Sequence, residues 1–189
     1  MRIGAAVSDE LDESALLRRI VGGDRPAFQV LYRTYFSRLA RFLDRMTRDA
    51  PLIEEIINDT MLVVWQKADT FDGSCKLSTW IFGIAYRQGL KALRGVDQPL
   101  APQEDQSGEP ASEPEHAMAA RQLRHGVSRA LDALPVEQRV VVSLTYYHGM
   151  AYQEIADTMG CPVNTVKTRM FHARQKLRGM LSDHMEEMQ

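Results

Sequence analysis

The stretch from 95 to 117 divides the sequence into two parts, because it contains four prolines and almost no large apolar side chain. A segment of this composition cannot bury enough apolar surface to offset the conformational entropy lost on folding. It also carries six carboxylates and no lysine or arginine. We therefore predict a flexible, extended, acidic linker over 95–117 that joins two domains, one over 14–94 and one over 118–182.

Apolar residues on both sides of this linker recur at spacings of three and four, the period of an amphipathic helix. In the first domain we predict one helix through Leu16, Leu17, Ile20 and Val21, and a longer one with Asp24 as its N-cap and Pro26 in the first turn. Two more helices are predicted over 51–68 and 77–94. The sequence shows no sustained period-two alternation of the kind that indicates strands. The fold class is therefore all-α, with two small helical domains.

The second domain contains a helix-turn-helix pattern around Gly160. Gly160 suits the left-handed residue that ends a helix, and Pro162 fits the first turn of the next one. Upstream, Pro135 fits the first turn of a valine-rich segment that Gly149 ends. We predict a helix there because its neighbours are helical, although β-branched residues suit a strand equally well.

The second helix of this pattern has one apolar stripe and one polar, basic face. Its predicted buried residues share spacings of three and four: Val163, Val166, Met170, Ala173 and Leu177. The outward side carries Thr165, Lys167, Thr168 and His172, with Arg169 and Arg174 on the flanks. A helix with small polar and basic residues on its exposed face can enter a DNA major groove.

The formal net charge of −2 does not favour a nucleic-acid partner, but the charges are segregated along the chain. No carboxylate occurs between 163 and 182, whereas five lysines and arginines do. One alternative is a solvated face near a helix C-terminus, where the helix dipole favours cations. DNA binding also accounts for the absence of acids and for the preceding Gly-x-Pro turn, so we favour it.

Catalysis, metal binding and membrane insertion have no support in the sequence. Cys75 and Cys161 stand far apart without neighbouring ligands at metal-site spacing, and the five histidines are scattered. Neither a glycine-rich phosphate loop nor a nucleophile signature occurs. We therefore expect no cofactor, no metal and no enzymatic activity. A membrane span and a secretory signal are also absent, so we expect a cytoplasmic protein.

Both domains resemble one known family. LPVEQRVVVSLTYYHGM and AYQEIADTMGCPVNTVKTRMFHARQKLR resemble the C-terminal domain of bacterial extracytoplasmic-function (ECF) sigma factors, which reads the minus-thirty-five promoter element. LYRTYFSRLARFLDRM, IEEIINDTMLVVWQKADTF and LSTWIFGIAYRQGLKALR resemble the first conserved domain of that family, in order and spacing. The resemblance covers nearly all of 14–182.

The resemblance implies a promoter-specific initiation factor with three kinds of partner. These are core RNA polymerase, contacted at its clamp helices and flap, promoter DNA, and an inhibitory anti-sigma factor. It also implies that the acidic linker threads the polymerase cleft toward the RNA exit path, where its carboxylates mimic the charge of a transcript. The ordinary alternative for the linker is a solvated tether, and both roles can hold together.

Site residues follow from the matched motifs. The resemblance places polymerase contacts at Glu55, Asn58 and Asp59, where the family commonly has Gln-Glu at the last two positions. The segment FDGSCKLSTW and the helix after it would bind a base flipped from the minus-ten element, with candidates Ser74, Lys76, Ser78, Thr79, Trp80 and Arg87. Trp80 can equally be a core residue. Relatives often carry Arg, Arg and Asn where Gly83, Tyr86 and Arg87 stand.

For the minus-thirty-five element the candidates are the six residues of the basic face, from Thr165 to Arg174. Arg139 and Tyr152 are weaker candidates for phosphate contacts at the edge of the duplex. A stand-alone helix-turn-helix regulator that binds an operator without polymerase is the main alternative. It leaves the polar face at Glu55–Asp59 and the FDGSCKLSTW loop unexplained. A helical adaptor whose basic helix meets an acidic protein surface is a third possibility.

Overall fold

The computed structural model describes residues 13–95 and 126–186, with side chains as far as 182. Within these ranges, here called the first half and the second half, the backbone forms helices and no strand, as the sequence predicts. The predicted linker lies outside the described residues from 96 onward. The helices are α1 (13–21), α2 (Arg25–Leu43), α3 (Ala50–Lys67), α4 (Leu77–Gly95), α5 (126–132), α6 (Val136–Tyr146), α7 (Tyr152–Met159) and α8 (Val163–Glu186).

Aspartates begin two of the helices in the first half. Asp24 Oδ1 accepts a hydrogen bond from the backbone amide of Ala27 at 3.0 Å, and Asp49 Oδ1 accepts one from Leu52 at 3.1 Å. Each carboxylate satisfies an amide that has no partner within the helix, and a proline in the first turn fixes the backbone without losing a hydrogen bond. The predicted N-cap at Asp24 is confirmed.

The valine-rich segment is helical, as predicted, but its proline lies outside the helix. Pro135 is the N-cap of α6 with extended backbone angles, and its carbonyl accepts hydrogen bonds from the amides of Gln138 and Arg139. Pro162 holds the same place before α8, which begins at Val163. The predicted first-turn positions were therefore wrong by one residue. Each proline lies just before its helix, where its carbonyl accepts the first hydrogen bonds from the amides of that helix.

Each half has an apolar centre. In the first half, Leu31, Tyr35, Leu39 and Phe42 on α2 are fully buried and pack among α3 and α4. Full burial of a large apolar side chain contributes about 1.5–3 kcal/mol, so this stripe stabilises the helix more than its intrinsic propensity does. In the second half, α6, α7 and α8 enclose Val140, Leu144, Ile155, Val166 and Met170.

The two halves also pack against each other, mainly along α4 and α7. Along this contact, a Cβ built on Gly83 would lie 3.5 Å from the carbonyl oxygen of Thr158 and 3.7 Å from its Cα. The His148 ring enters the first half and lies 4.8 Å from the Phe82 ring and 6.2 Å from the Phe42 ring, between centroids. A single apolar core therefore continues from one half into the other.

Candidate nucleic-acid interface

The helix-turn-helix is held by backbone contacts at both ends of its turn. Gly160 has φ of +63°, in the left-handed region, and the amide of Cys161 donates to the carbonyl of Ala156 at 3.1 Å. The amide of Thr165 donates to the carbonyl of Pro162 at 2.9 Å and starts α8. A residue with a Cβ is strained at this φ, so glycine allows the abrupt change of direction that sets the angle between α7 and α8.

The predicted division of α8 into two faces is confirmed. Val166, Met170 and Ala173 are buried, and Val163 and Leu177 at the ends of the stripe are half-buried. On the other side, the residues predicted to contact the minus-thirty-five element are exposed or half-buried: Thr165, Lys167, Thr168, Arg169, His172 and Arg174. We call these six residues the recognition face. They occupy the part of α8 that is not covered by the core, with Arg169 and Arg174 on the two flanks of the buried stripe.

Two arginines of the recognition face are held by neighbouring side chains. Arg174 Nη2 donates to Tyr146 Oη at 3.0 Å, and this hydrogen bond raises the pKa of Arg174. Arg169 Nη1 donates to Cys161 Sγ at 3.7 Å. Such contacts reduce the number of conformations that the side chain loses when it binds a phosphate. Tyr146 was missed from the sequence because it lies on another helix, and no local pattern connects it with Arg174.

The two weaker candidates lie elsewhere. Arg139 is only 3% exposed, and its Nη1 donates to the carbonyl of Asp132 at 3.2 Å. Burial lowers the pKa of its guanidinium, although Asp132 opposes the shift. Tyr152 is half-buried at the first position of α7 and packs against the core. In this conformation Arg139 is therefore not accessible to a phosphate.

A second surface lies on α3. Glu55, Asn58 and Asp59 are exposed, while Ile56 and Ile57 on the opposite side are buried, as the spacing predicts. Tyr32 Oη donates to Asn58 Oδ1 at 2.9 Å, so the amide NH₂ of Asn58 remains available to a partner. The tyrosine belongs to α2, so the spacing within α3 gave no signal of this contact.

An open groove of about 490 Å³ adjoins Asn58. It is mostly apolar and lies between α2 and α3, and Leu62 at its edge is 52% exposed. Large exposed apolar side chains beside polar groups are common where proteins bind one another. The lining residues are Arg25, Phe28, Tyr32, Asn58, Met61, Leu62 and Trp65.

The third candidate surface is the loop before α4 together with the start of that helix. The loop turns at Gly73, with φ of +74°, and the amide of Ser74 donates to Asp72 Oδ1 at 2.9 Å. Ser74 and Arg87 are exposed and Ser78 is half-buried. Trp80 is half-buried and packs against the core, with its ring centroid 5.4 Å from that of Phe71.

Two residues of this third surface are not freely accessible. Thr79 is 2% exposed, and its Oγ1 is buried without a hydrogen-bond partner. Lys76 Nζ forms an ion pair with Glu154 Oε1 at 3.1 Å. The candidates for the minus-ten element therefore do not form one accessible face in this conformation, because α7 lies across α4.

No group of three or more histidine, cysteine, aspartate or glutamate side chains within 13–95 and 126–186 can hold a metal ion. None of the helices in the described part of the chain is long and apolar enough to cross a membrane.

Comparison with known proteins agrees with this geometry. Residues 31–97 match the family described as "Sigma-70 region 2", and residues 124–177 match "Sigma-70, region 4". The ECF RNA polymerase sigma factor RpoE of Cereibacter sphaeroides is 34% identical over 179 residues, which cover 93% of this chain and 98% of the relative. The ECF RNA polymerase sigma-E factor of Salmonella typhimurium is 28% identical over 182 residues, covering 90% and 95%.

Solved structures show the same helical fold. CnrH, solved in complex with the cytosolic domain of CnrY, is similar with a TM-score of 0.67 at 24% identity, covering 91% of this chain and 98% of that one. The sigma factor RpoE of Bartonella quintana, solved with the anti-sigma factor NepR, gives 0.61 at 22% identity, covering 82% and 96%.

A chain that carries region 2 followed by region 4, each folded as a small helical unit, is a sigma factor of the sigma-70 class. The chain also matches ECF sigma factors along nearly its whole length, which identifies the group within this class. The chain belongs to the ECF RNA polymerase sigma factors.

Proposed function

We propose that this chain binds core RNA polymerase mainly through its first domain and directs the enzyme to promoters that both domains recognise. Residues 14–94 would form the polymerase-binding and minus-ten domain, 95–117 the linker, and 118–182 the minus-thirty-five domain. The observation that supports this proposal most strongly is the presence of both sigma regions in one chain. Neither the operator-binding regulator nor the helical adaptor accounts for region 2.

The α3 surface is the proposed contact with the clamp helices of polymerase, and the second domain is proposed to contact the flap. Glu55 and Asp59 present carboxylates, and Asn58 presents an amide whose carbonyl is already occupied by Tyr32. A partner surface with a cation facing Asp59 and an acceptor facing the Asn58 amide would complement them. The neighbouring apolar groove can add contact area that does not depend on charge.

The recognition face of α8 is proposed to enter the major groove at the minus-thirty-five element. Its threonines and His172 can contact base edges, and its lysine and arginines can hold phosphates. The hydrogen bond from Arg174 to Tyr146 leaves other N–H groups of the guanidinium for a phosphate oxygen. Arg139 and Tyr152 remain weaker proposals, and Arg139 requires a change of conformation.

The loop at 71–76 and the face of α4 are proposed to bind the minus-ten element, through Ser74, Lys76, Ser78, Thr79, Trp80 and Arg87. Extruding one base from a duplex costs a few kcal/mol, which contacts to the flipped base and to the backbone must offset. The exposed part of the Trp80 ring can stack on a base, an interaction worth about 1–3 kcal/mol.

The chemistry of RNA synthesis belongs to polymerase, so we propose that the chain itself is not an enzyme and needs no cofactor. Its site of action would be the cytoplasm, where polymerase transcribes the chromosome. An anti-sigma factor is the proposed inhibitor, since the Bartonella quintana relative was solved with one.

Reconstituted transcription tests the proposal. Purified chain added to bacterial core polymerase is expected to direct transcripts from a defined start site on its own upstream DNA, and core alone is expected to give none there. Asp59→Lys serves as the internal control, because it should abolish transcription and spare the retardation of duplex DNA. A chain that retards duplex DNA but never supports a specific transcript would be an operator-binding regulator, and the proposal would be wrong.

A further inference from the structure

We infer that a cavity beside the C-terminal end of α2 binds a small aromatic carboxylate. The cavity has a volume of about 390 Å³ and is bounded by α2, the first turns of α3 and Tyr147, the residue that follows α6. It shares no residue with the groove beside Asn58 or with the recognition face. The inference goes beyond the proposed function, because neither polymerase binding nor promoter recognition uses this cavity.

The size and the apolar lining of the cavity suit a small molecule. Sites for small molecules usually enclose about 300–1,000 Å³, are lined mainly by apolar side chains and often lie where two domains meet. Here Ile53 and Ile57 of α3 are buried, and Phe36 of α2 is half-buried. Tyr147 comes from the second half and is 59% exposed. The rings of Phe36 and Tyr147 favour a flat aromatic ligand, because aromatic rings pack well against one another.

The charged groups of the cavity favour a ligand with one negative charge. Arg41 and Arg45 line the cavity, and neither forms an ion pair with another residue of the described part of the chain. Of the two carboxylates in the lining, Asp44 binds Arg48 at 2.7 Å, and Glu54 is exposed. The two arginines and Glu54 therefore leave one net positive charge, which matches a carboxylate better than a phosphate ester with nearly two negative charges.

Both arginines have N–H groups that can bind a carboxylate. Arg41 Nε donates to the carbonyl of Ser37 at 3.2 Å, which leaves the terminal N–H groups of this guanidinium for a ligand. The Arg45 guanidinium lies over the Tyr147 ring, 5.2 Å from its centroid. A guanidinium presents parallel N–H groups that fit the two oxygens of a carboxylate. The ligand can thus contact the aromatic wall and the cations at the same time.

The electrostatic environment around this end of α2 agrees with an anion site. Burial lowers the pKa of His148, and the charges of Arg38 and Arg41 lower it further. A nearby cation has this effect because it opposes protonation of the imidazole. Arg38 is balanced in part by Glu13, whose carboxylate lies 3.7 Å away, but Arg41 has no such partner among the described residues. The region therefore carries a positive potential that attracts anions.

A ligand in this cavity contacts both halves of the chain. The remaining lining residues belong to the first half, so the wall at Tyr147 exists only while the second half lies beside α2. Any molecule that binds one arrangement of a protein stabilises that arrangement by mass action. The cavity is therefore a site at which a small metabolite can favour the arrangement in which the halves are in contact.

Nuclear magnetic resonance of the full free chain tests the site, with indole-3-acetate as the probe. A ligand of about 13 non-hydrogen atoms is expected to bind with a dissociation constant of about 0.1–1 mM. Saturable shifts should appear at the backbone amides of Ala40, Ile53 and Ile57. Indole-3-acetamide has the same shape without the charge, and it should bind at least fivefold more weakly.

Matched variants identify the groups that hold the probe. Arg41→Gln and Arg45→Gln should each weaken binding at least threefold, whereas Glu54→Gln should strengthen it, because a repelling charge is removed. Arg33→Gln changes an exposed arginine of α2 outside the cavity and should have no effect. Tyr147→Leu should weaken binding, and Tyr147→Phe should restore it, because the ring and not the hydroxyl makes the contact. The same spectra show whether each variant is folded.

Equal affinities for indole-3-acetate and indole-3-acetamide would overturn the inference. So would the absence of saturable shifts, affinities unchanged by both arginine variants, or shifts confined to Phe28 and Trp65, which would place the probe in the groove beside Asn58. None of these results depends on polymerase or promoter DNA. The transcription assay decides the proposed function separately, so the two can fail independently.

Discussion

Protonation of His148 should weaken the folded chain at mildly acidic pH. Its ring lies between the halves, against Phe42 and Phe82, and burial lowers its pKa from 6.5 to about 4, with smaller contributions from Arg38 and Arg41. The folded state therefore holds this imidazole neutral at pH values where the unfolded chain binds a proton. Stability is complete above about pH 6.5 and is lost progressively as the pH falls toward 4.

The size of the effect follows from the shift. A displacement from 6.5 to about 4 corresponds to roughly 3 kcal/mol at about 1.4 kcal/mol per pH unit. The ring is only half-buried, so solvent screening reduces this to about 1–2 kcal/mol. The free energy of unfolding of a typical domain is roughly 5–15 kcal/mol, so a loss of about 1–2 kcal/mol is a large fraction of it.

The contribution of His148 to the free energy of unfolding can be measured by urea unfolding of wild type and His148→Gln at pH values from 7.5 to 4.5. The difference between the two proteins at each pH gives this contribution. Carboxylate titration affects both proteins alike, so wild type should lose about 1–2 kcal/mol more than the variant across the range. His172→Gln, which removes an exposed histidine, should behave as wild type. Parallel pH profiles for wild type and His148→Gln would refute the argument that burial suppresses this charge.

Three further outcomes are expected. Lys167→Ala should reduce the slope of log affinity for promoter DNA against log salt concentration by about 0.9, because one phosphate contact is lost. Lys67→Ala on α3 should leave the slope unchanged. If wild type and both variants had the same slope, Lys167 would not contact DNA. Asp59→Lys should weaken binding to core polymerase at least tenfold in a pull-down titration while the thermal midpoint stays constant, and a lowered midpoint would indicate misfolding instead. Gly160→Ala should lower the unfolding free energy by about 1 kcal/mol because of the left-handed φ, and an unchanged chemical-denaturation midpoint would contradict that strain.

Local features of the fold were predictable from the sequence because they depend on neighbours along the chain. The N-cap at Asp24, the left-handed Gly160 and the buried stripe of α8 each follow from the geometry of one helix or one turn. The division of α3 into a polar and an apolar face follows in the same way. The proline positions before α6 and α8 differed by one residue, since sequence patterns do not locate helix boundaries more finely than that.

Contacts between distant segments were not predictable. Periodicity places Gly83 and Thr158 on their helices, but it contains no information that these two helices cross each other there. The hydrogen bonds from Arg174 to Tyr146 and from Tyr32 to Asn58 could not be predicted for the same reason. The sequence therefore indicated which surfaces are polar, but it did not show that α7 covers the minus-ten candidates on α4.

Glu154 makes two contacts with different consequences. Its Oε2 accepts a hydrogen bond from the amide of Ala151 at 2.7 Å, within the second half, while its Oε1 binds Lys76 of the first half. Separation of the halves removes only the second contact, and the start of α7 stays capped. The first turn of the helix-turn-helix is thus capped by a residue of its own helix, and this cap does not depend on the first half.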